Sequence, residues 1–141
     1  MGQGKRNTQE WRKTVKFYVA GKWNDRRKVQ AVQKILIAKG HKITVDWTIH
    51  VNPKDQSILQ EWAVRDIEGV QNCDTYIGVF NNTTYHYTGA LVEMGTALGL
   101  GKRIWLLGNG IASCIFLTHP LITGFSKIKT MLEVLDNIPK E

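Results

Sequence analysis

The chain has 141 residues, of which 43% are hydrophobic and 22% are charged, and its formal net charge is +7. This length suits one domain around one hydrophobic core, and the composition is that of an ordinary soluble globular protein. No apolar run approaches the roughly 18 residues of a membrane-spanning helix. We also expect no secretory signal, because the N-terminus is polar and basic.

Cysteine, histidine and charge patterns narrow the class of protein further. Cys73 and Cys114 lie far apart without metal or redox spacing, which predicts reduced thiols in a cytoplasmic protein. The four histidines show no ligand spacing, so neither a metal nor another cofactor is expected. Residues 1–14 lack a sustained hydrophobic period and are predicted to form a flexible basic arm ahead of a domain over residues 15–141. The remaining positive charge is scattered, which argues against nucleic-acid binding.

Predicted strands and helices alternate along the chain. The strands cover residues 15–20, 42–47, 74–80 and 103–107, with a turn at 108–110 and a short helix and last strand within 111–125. The helices cover residues 25–39, 53–70, 88–99 and 126–138. Asn24 or Asp25 is expected to cap the first helix, Asn52 and Pro53 to open the second, and Ser126 to cap the last.

This alternation predicts a single three-layer α/β domain. Its mostly parallel sheet of four to five strands, flavodoxin-like or Rossmann-like, would carry helices on both faces. Ligands of such sheets bind beyond the carboxyl ends of the strands. That rule selects the start of the third helix and the segments 21–25, 47–52, 81–89 and 108–113.

The third helix contains an acid beside its apolar face. That face is formed by Ala90, Leu91, Met94, Ala97 and Leu98. Glu93 borders it, and a carboxylate there is costly unless something uses it. The glycines at 89, 95 and 99 lower helix propensity and are interpreted as points where backbone or ligand approaches closely. Alternatively, Glu93 is a partly solvated helix residue without function.

Two further residues are candidates on weaker grounds. Asp66 lies on or near the helix face that carries Trp62 and Val70, although taken alone it reads as a surface acid beside Arg65. Tyr18 lies in the apolar first strand, where a tyrosine packs in the core and its hydroxyl reaches a partner. Residue patterns by themselves leave both roles open.

Four segments in order resemble the nucleoside 2-deoxyribosyltransferase family and its relatives that hydrolyse 2′-deoxynucleoside 5′-monophosphates. They are residues 17–21, 23–26, 65–74 and 89–97. The resemblance implies that Glu93 attacks C1′ of the sugar and forms a covalent intermediate. It also implies that Asp66 handles the proton of the base and that Tyr18 orients Glu93 by a hydrogen bond. Residues implied to contact substrate are Gly21, Lys22, Trp23, Asn24, Trp47, Tyr87, Thr88, Gly89 and Asn109.

The resemblance further implies a nucleoside or nucleotide substrate and a homo-oligomer with a shared active site. Asn109 is the nearest candidate for an asparagine that reaches into a neighbouring subunit. The chain departs from the family six residues before Glu93, where transferases carry an acid and the monophosphate hydrolases a serine. Here Tyr87 stands at that position, followed by Thr88. Transfer, monophosphate hydrolysis and non-catalytic nucleotide binding therefore remain as alternatives.

Overall fold

The structure, a computed structural model, describes residues 13–50, 55–110 and 113–139. Five strands within these ranges form one parallel sheet in the order β2-β1-β3-β4-β5. The strands are β1 (Lys16–Ala20), β2 (Lys42–Ile43), β3 (Thr75–Asn81), β4 (Arg103–Gly110) and β5 (Ile122–Phe125). The helices are α1 (Arg26–Ala38), α2 (Gln56–Asn72), α3 (Thr88–Gly99) and α4 (Ile128–Asp136). This order is flavodoxin-like and confirms the predicted fold class.

The sheet is buried on both faces, as parallel sheets with crossover helices are. Successive side chains of β1 alternate between two cores. Phe17 and Val19 pack on the side of α1 and α4, whereas Tyr18 and Ala20 pack on the side of α2 and α3. Tyr18, a candidate site residue, therefore faces α2 and α3. Among the described helices, none is long and apolar enough to cross a membrane.

The second strand is much shorter than the predicted 42–47. Only Lys42 and Ile43 pair with β1, and the chain then turns away into a short 3₁₀ turn at Trp47–Ile49. Asp46 initiates this turn because its side chain accepts a hydrogen bond from the Thr48 amide. Val45 and Trp47 are partly buried against the core without pairing in the sheet.

The predicted turn at 108–110 is also wrong, because β4 continues through these residues to Gly110, which pairs with Asn81 after an irregularity in the ladder. Gly108 has a φ of +110°, and a Cβ there would lie 2.4 Å from the Phe80 carbonyl oxygen. Glycine thus lets β4 pass close to β3 instead of reversing the chain.

The helix termini differ from the predictions in their caps. Asp25 occupies the N-cap position of α1 without a side-chain cap, and Lys127, not Ser126, precedes α4. Asp55 caps α2 by accepting from the Ser57 amide. The predicted start at Asn52 and Pro53 falls within 51–54, outside the described residues. Residues 1–12 of the predicted basic arm also lie outside the described residues.

Helix α3 begins at Thr88 as predicted, with Ala90, Met94 and Ala97 buried. The interpretation of its glycines is wrong in one respect. A Cβ built on Gly89, Gly95 or Gly99 meets no atom within 4 Å among the described residues. These glycines face open space, so close packing within the chain does not require them.

Candidate active site

A hydrogen bond between β1 and α3 forms the centre of the candidate site. The Tyr18 hydroxyl donates to Oε2 of Glu93. Tyr18 is fully buried at the middle of β1, and Glu93 lies in the second turn of α3. The structure thus brings together two of the residues predicted from the sequence, although 75 positions separate them along the chain.

The electrostatics of this pair favour a carboxyl that changes its charge near neutral pH. Burial raises the pKa of Glu93 to about 7, the hydrogen bond from Tyr18 lowers it, and the charge of Asp66 raises it. Burial raises the pKa of Tyr18 far above its ordinary value, and the charges of Glu93 and Asp66 raise it further. The tyrosine therefore keeps its proton and acts as the donor.

Asp66, on α2, is the third member of this group. Its Oδ1 is buried and has no hydrogen-bond partner within the described part of the chain. Burial raises the pKa of Asp66, while the charges of His50 and Arg65 lower it. A buried carboxyl oxygen without a partner is costly in free energy. Asp66 is thus suited to hold a proton and to bind a ligand group.

Two loops meet at the carboxyl end of β1. The Lys22 ammonium lies 5.0 Å from the centroid of the Tyr85 ring and 4.0 Å from Oδ2 of Asp25. Lys22 follows β1 and Tyr85 follows β3, so the contact joins the segments beyond two neighbouring strands. Gly21 is required at the first turn, because a Cβ there would lie 2.8 Å from Cγ2 of Val29.

Trp23 and Trp47 form an aromatic pair at the same edge of the sheet. Their ring centroids lie 6.4 Å apart, and the Arg26 guanidinium lies 4.5 Å from the Trp23 ring centroid. The Trp47 indole N–H donates to the Val19 carbonyl at 2.6 Å. That donor is therefore used inside the protein, whereas Asn24 is exposed to solvent.

Tyr87, where the family carries an acid or a serine, faces inward. It is buried with a left-handed φ of +52°, and its hydroxyl accepts hydrogen bonds from the amides of Asn81 and Asn82 at 2.9 and 3.1 Å. Tyr87 thus holds the loop after β3 together. Thr88 and Gly89, which follow it in the first turn of α3, are exposed. Asn109 is exposed near the carboxyl end of β4.

Sequence reasoning missed two residues near this site. Tyr76, buried on β3 beside Tyr18, donates from its hydroxyl to the Ala90 carbonyl at 2.6 Å and anchors α3. His50 stacks on Trp62, four residues before Asp66 on α2, with ring centroids 4.0 Å apart. The position of Tyr76 in the third apolar strand was a usable signal. His50 lies in the segment 47–52 that the sheet-edge rule selected, but nothing in the sequence indicated its contact with Trp62, because the two residues belong to different elements.

No cluster of three or more His, Cys, Asp or Glu side chains able to hold a metal occurs in the ranges that the structure describes. The polar groups of the site are instead two carboxyls and a tyrosine hydroxyl on three elements of one face. Paired carboxyls of this kind serve nucleophilic and acid–base chemistry at glycosidic carbon.

Comparisons with known proteins identify chains of the same fold. Two solved structures share the fold at low sequence identity. The first is a 2-deoxyribosyltransferase from the psychrotolerant bacterium Bacillus psychrosaccharolyticus, with 17% identity, a TM-score of 0.69 and coverage of 90% of this chain and 100% of that one. The second is a CMP N-glycosidase from Clostridium botulinum, with 19% identity, a TM-score of 0.58 and coverage of 86% and 98%.

A search of curated protein sequences finds no significant match. The family model described as nucleoside 2-deoxyribosyltransferase, however, matches residues 17–127, which include Tyr18, Asp66 and Glu93. Because this match spans well over half of the chain, the protein belongs to the nucleoside 2-deoxyribosyltransferase family of enzymes, which cleave or transfer at N-glycosidic bonds.

Proposed function

We propose that the protein breaks the bond between a base and 2-deoxyribose by attack of Glu93 on C1′, with Asp66 as the proton carrier. The observation that carries this proposal is the hydrogen bond from Tyr18 to Glu93, on the face of the sheet that also carries Asp66, whose buried Oδ1 has no hydrogen-bond partner among the described residues. A nucleophile must be oriented and an acid must hold its proton, and each group here has the environment for one of those tasks.

In the first step, a carboxylate oxygen of Glu93 forms a bond to C1′. The bond from C1′ to the base nitrogen breaks, its electron pair stays on that nitrogen, and the Asp66 proton joins it. In the second step, water or a second base attacks C1′, the ester bond to Glu93 breaks, and the proton of the attacking group passes to Asp66. Both residues return to their starting forms, so no cofactor is needed.

Burial and hydrogen bonding shift the proton affinity of each of these groups. With a pKa of about 7, Glu93 is ionised in a large fraction of molecules at neutral pH and is still more basic than an exposed glutamate. Tyr18 donates to that carboxylate without losing its own proton. Burial makes Asp66 hold its proton to higher pH than an exposed aspartate would.

Thr88 takes the place of the family acid at the 5′ end of the sugar in this proposal. The Tyr87 hydroxyl is used by two backbone amides, whereas Thr88 is exposed at the start of α3. A second candidate function is hydrolysis of deoxynucleoside 5′-monophosphates. It is favoured by Lys22, whose ammonium lies between the loops after β1 and β3, where a 5′-phosphate would meet it.

Product analysis with deoxyinosine and dIMP, each with and without adenine as acceptor, tests both candidates. Exchange of base on deoxyinosine supports transfer, and base release from dIMP alone supports the monophosphate hydrolase. If neither base exchange nor base release is detected with either substrate, the proposal is overturned. Intact-mass analysis of quenched reactions should show a deoxyribosyl adduct, and peptide mass analysis after digestion should place it on the peptide that contains Glu93.

The Glu93→Gln variant tests the nucleophile directly, because glutamine keeps the shape of the side chain but cannot form the ester. We expect its turnover to fall by several orders of magnitude. Glu133→Gln, an exposed position on α4, is the matched control and should leave turnover unchanged. If Glu93→Gln keeps more than about a tenth of the wild-type rate, Glu93 is not the nucleophile.

We also propose that the chain assembles with copies of itself in a reducing, cytoplasmic compartment. The large apolar side chains of Val92, Ile115 and Phe116 are 60%, 78% and 61% exposed. Ile115 and Phe116 are neighbours in one 3₁₀ turn, and exposed apolar surface that neighbouring residues share marks interaction sites. Cys73 and Cys114 are free thiols. Light scattering of the purified protein tests assembly, and a monomeric mass at high concentration would contradict it.

A further inference from the structure

Two tyrosines on neighbouring strands donate hydrogen bonds to the same helix. Tyr18 on β1 and Tyr76 on β3 lie opposite each other in the sheet, and their rings stack with centroids 6.3 Å apart and an interplanar angle of 16°. Tyr18 donates to the side chain of Glu93, whereas Tyr76 donates to the backbone carbonyl of Ala90 at 2.6 Å. Helix α3 is therefore attached to the centre of the sheet at two points.

The two hydrogen bonds restrain different parts of α3. Ala90 and Glu93 are three residues apart and lie on adjacent turns of one side of the helix. A glutamate side chain has several rotatable bonds, so the bond from Tyr18 does not by itself restrain the helix backbone. A bond to the carbonyl of Ala90 acts on the backbone directly. The bond from Tyr76 thus fixes the point from which the Glu93 side chain extends.

Apolar packing alone restrains α3 weakly. Its buried residues are Ala90, Met94 and Ala97, of which only the methionine is large, and methionine is a flexible and adaptable side chain. Leu91 and Leu98 are only partly buried against the same core. Small side chains form shallow ridges, which define the rotation of a helix about its axis poorly. The hydrogen bond from Tyr76 supplies an orientation that this packing leaves weakly defined.

The hydroxyl of Tyr76 is used for this attachment. The residue is fully buried, and a phenylalanine would fill the same core volume without a polar atom to satisfy. Burial raises the pKa of Tyr76 well above its ordinary value, and the charge of Glu93 raises it further. The hydroxyl therefore keeps its proton and remains a donor. Within the described residues, its hydrogen-bond partner is the carbonyl of Ala90.

We propose that Tyr76 is a positioning residue of the active site, which holds the backbone of α3 so that the Glu93 carboxyl lies against the Tyr18 hydroxyl and is aimed at C1′. This inference rests on the proposed function, in which Glu93 attacks that carbon. Tyr76 acts through the carbonyl of Ala90 and forms no bond to the substrate. Nucleophilic attack depends steeply on geometry, since a misplacement of about 1 Å can reduce a rate by about a hundredfold.

Carbon-13 NMR of the Glu93 carboxyl, assigned with Glu93→Gln, tests the positioning without reference to activity. Tyr76→Phe removes the hydroxyl and keeps the ring. The hydrogen bond from Tyr18 lowers the pKa of Glu93, so the titration midpoint should move to higher pH when that bond loses its alignment. In a Tyr18→Phe background the bond is already gone, and Tyr76→Phe should move the midpoint no further. An unchanged midpoint in Tyr76→Phe, or equal shifts in both backgrounds, overturns the inference.

Thr75→Val is the matched control for the loss of a buried hydrogen bond. Thr75 precedes Tyr76 on β3 and is fully buried, and its hydroxyl oxygen accepts from Nε of Arg103 at 3.0 Å. Because side chains alternate along a strand, Thr75 points to the face of the sheet away from α3. This variant should lose stability in denaturant titrations while the Glu93 midpoint stays in place. A midpoint that moves as far as in Tyr76→Phe would also overturn the inference.

Steady-state kinetics of base release test the consequence for catalysis. In Tyr76→Phe kcat should fall about tenfold with KM nearly unchanged, because the attacking group is displaced while the substrate contacts remain. The acidic limb of kcat/KM should move to higher pH together with the carboxyl midpoint. A higher KM with unchanged kcat contradicts the proposed positioning. If the wild-type protein releases no base at all, the proposed function fails, and the carboxyl midpoint still decides whether Tyr76 positions Glu93.

Discussion

The hydroxyl of Tyr18, at the centre of the sheet, donates a hydrogen bond to Oε2 of Glu93, on a helix that begins 70 residues later in the chain. The bond crosses from strand to helix on the face that also carries Asp66. It aligns a carboxyl that burial would otherwise make difficult to ionise. Stability and reactivity are therefore opposed at this one side chain, as is common at functional sites.

The Glu93→Gln variant should become more stable than the wild type as pH rises. The pKa of Glu93 in the folded protein, about 7, lies above the ordinary value of 4.5. Between these values the folded state retains a proton that the unfolded chain has lost, so the wild type loses stability as pH rises. The loss amounts to roughly 3 kcal/mol once pH exceeds the folded pKa. Thermal melts at about pH 4, 6 and 8 should show an increasing advantage for the variant. A constant difference would contradict this linkage.

Removing the Tyr18 hydroxyl with Tyr18→Phe should displace the acidic limb of kcat/KM. The hydrogen bond lowers the pKa of Glu93, so its loss raises that pKa and moves the limb to higher pH. We also expect turnover to fall by roughly ten- to a hundredfold, because the carboxylate loses its orientation. Rate profiles over a broad pH range measure both effects. A fall in rate with the limb unmoved would leave Tyr18 with a packing role alone.

Substitution of Tyr87 should lower the stability of the fold, whereas substitution of Thr88 should weaken substrate binding. Tyr87→Phe leaves the amides of Asn81 and Asn82 without their acceptor and should lower unfolding free energy by about 1–3 kcal/mol. Thr88→Val keeps the shape of an exposed side chain and should leave stability nearly unchanged while raising KM. Denaturant titration and steady-state kinetics on the two variants separate these effects. An increase in KM for Tyr87→Phe without loss of stability would return the substrate contact to Tyr87.

The Gly69→Ala substitution should displace side chains that pack against the site, among them Tyr18. A Cβ there would lie 2.7 Å from Cγ2 of Val45 and 3.1 Å from Cδ2 of Tyr18, so α2, Val45 or the tyrosine ring must shift. We expect a loss of about 1–3 kcal/mol in stability together with reduced turnover. Gly95→Ala is the matched control, because its Cβ meets open space and alanine favours the helix by up to about 1 kcal/mol. Equal effects of the two variants would contradict the close packing at Gly69.

Predictions for α3 succeeded and those for β2 failed, for one physical reason. The apolar period of α3 is local, so its start at Thr88 and its buried face could be predicted from neighbouring residues. β2 ends early because the Trp47 indole donates to the carbonyl of Val19, a partner 28 residues away. The predicted cap at Ser126 was also wrong, since Lys127 holds the N-cap position of α4. A residue type that favours capping does not ensure that its side chain makes the capping hydrogen bond.

The sequence by itself determined the order of strands and helices, the parallel sheet and the identity of Tyr18, Asp66 and Glu93 as candidates. These follow from local periodicity and from family segments that are contiguous in the chain. Only the tertiary structure decided that Tyr18 donates to Glu93, that Tyr87 faces inward, and that His50 stacks on Trp62. Such contacts join distant residues, and burial sets their proton affinities, so neither can be calculated from spacing along the chain.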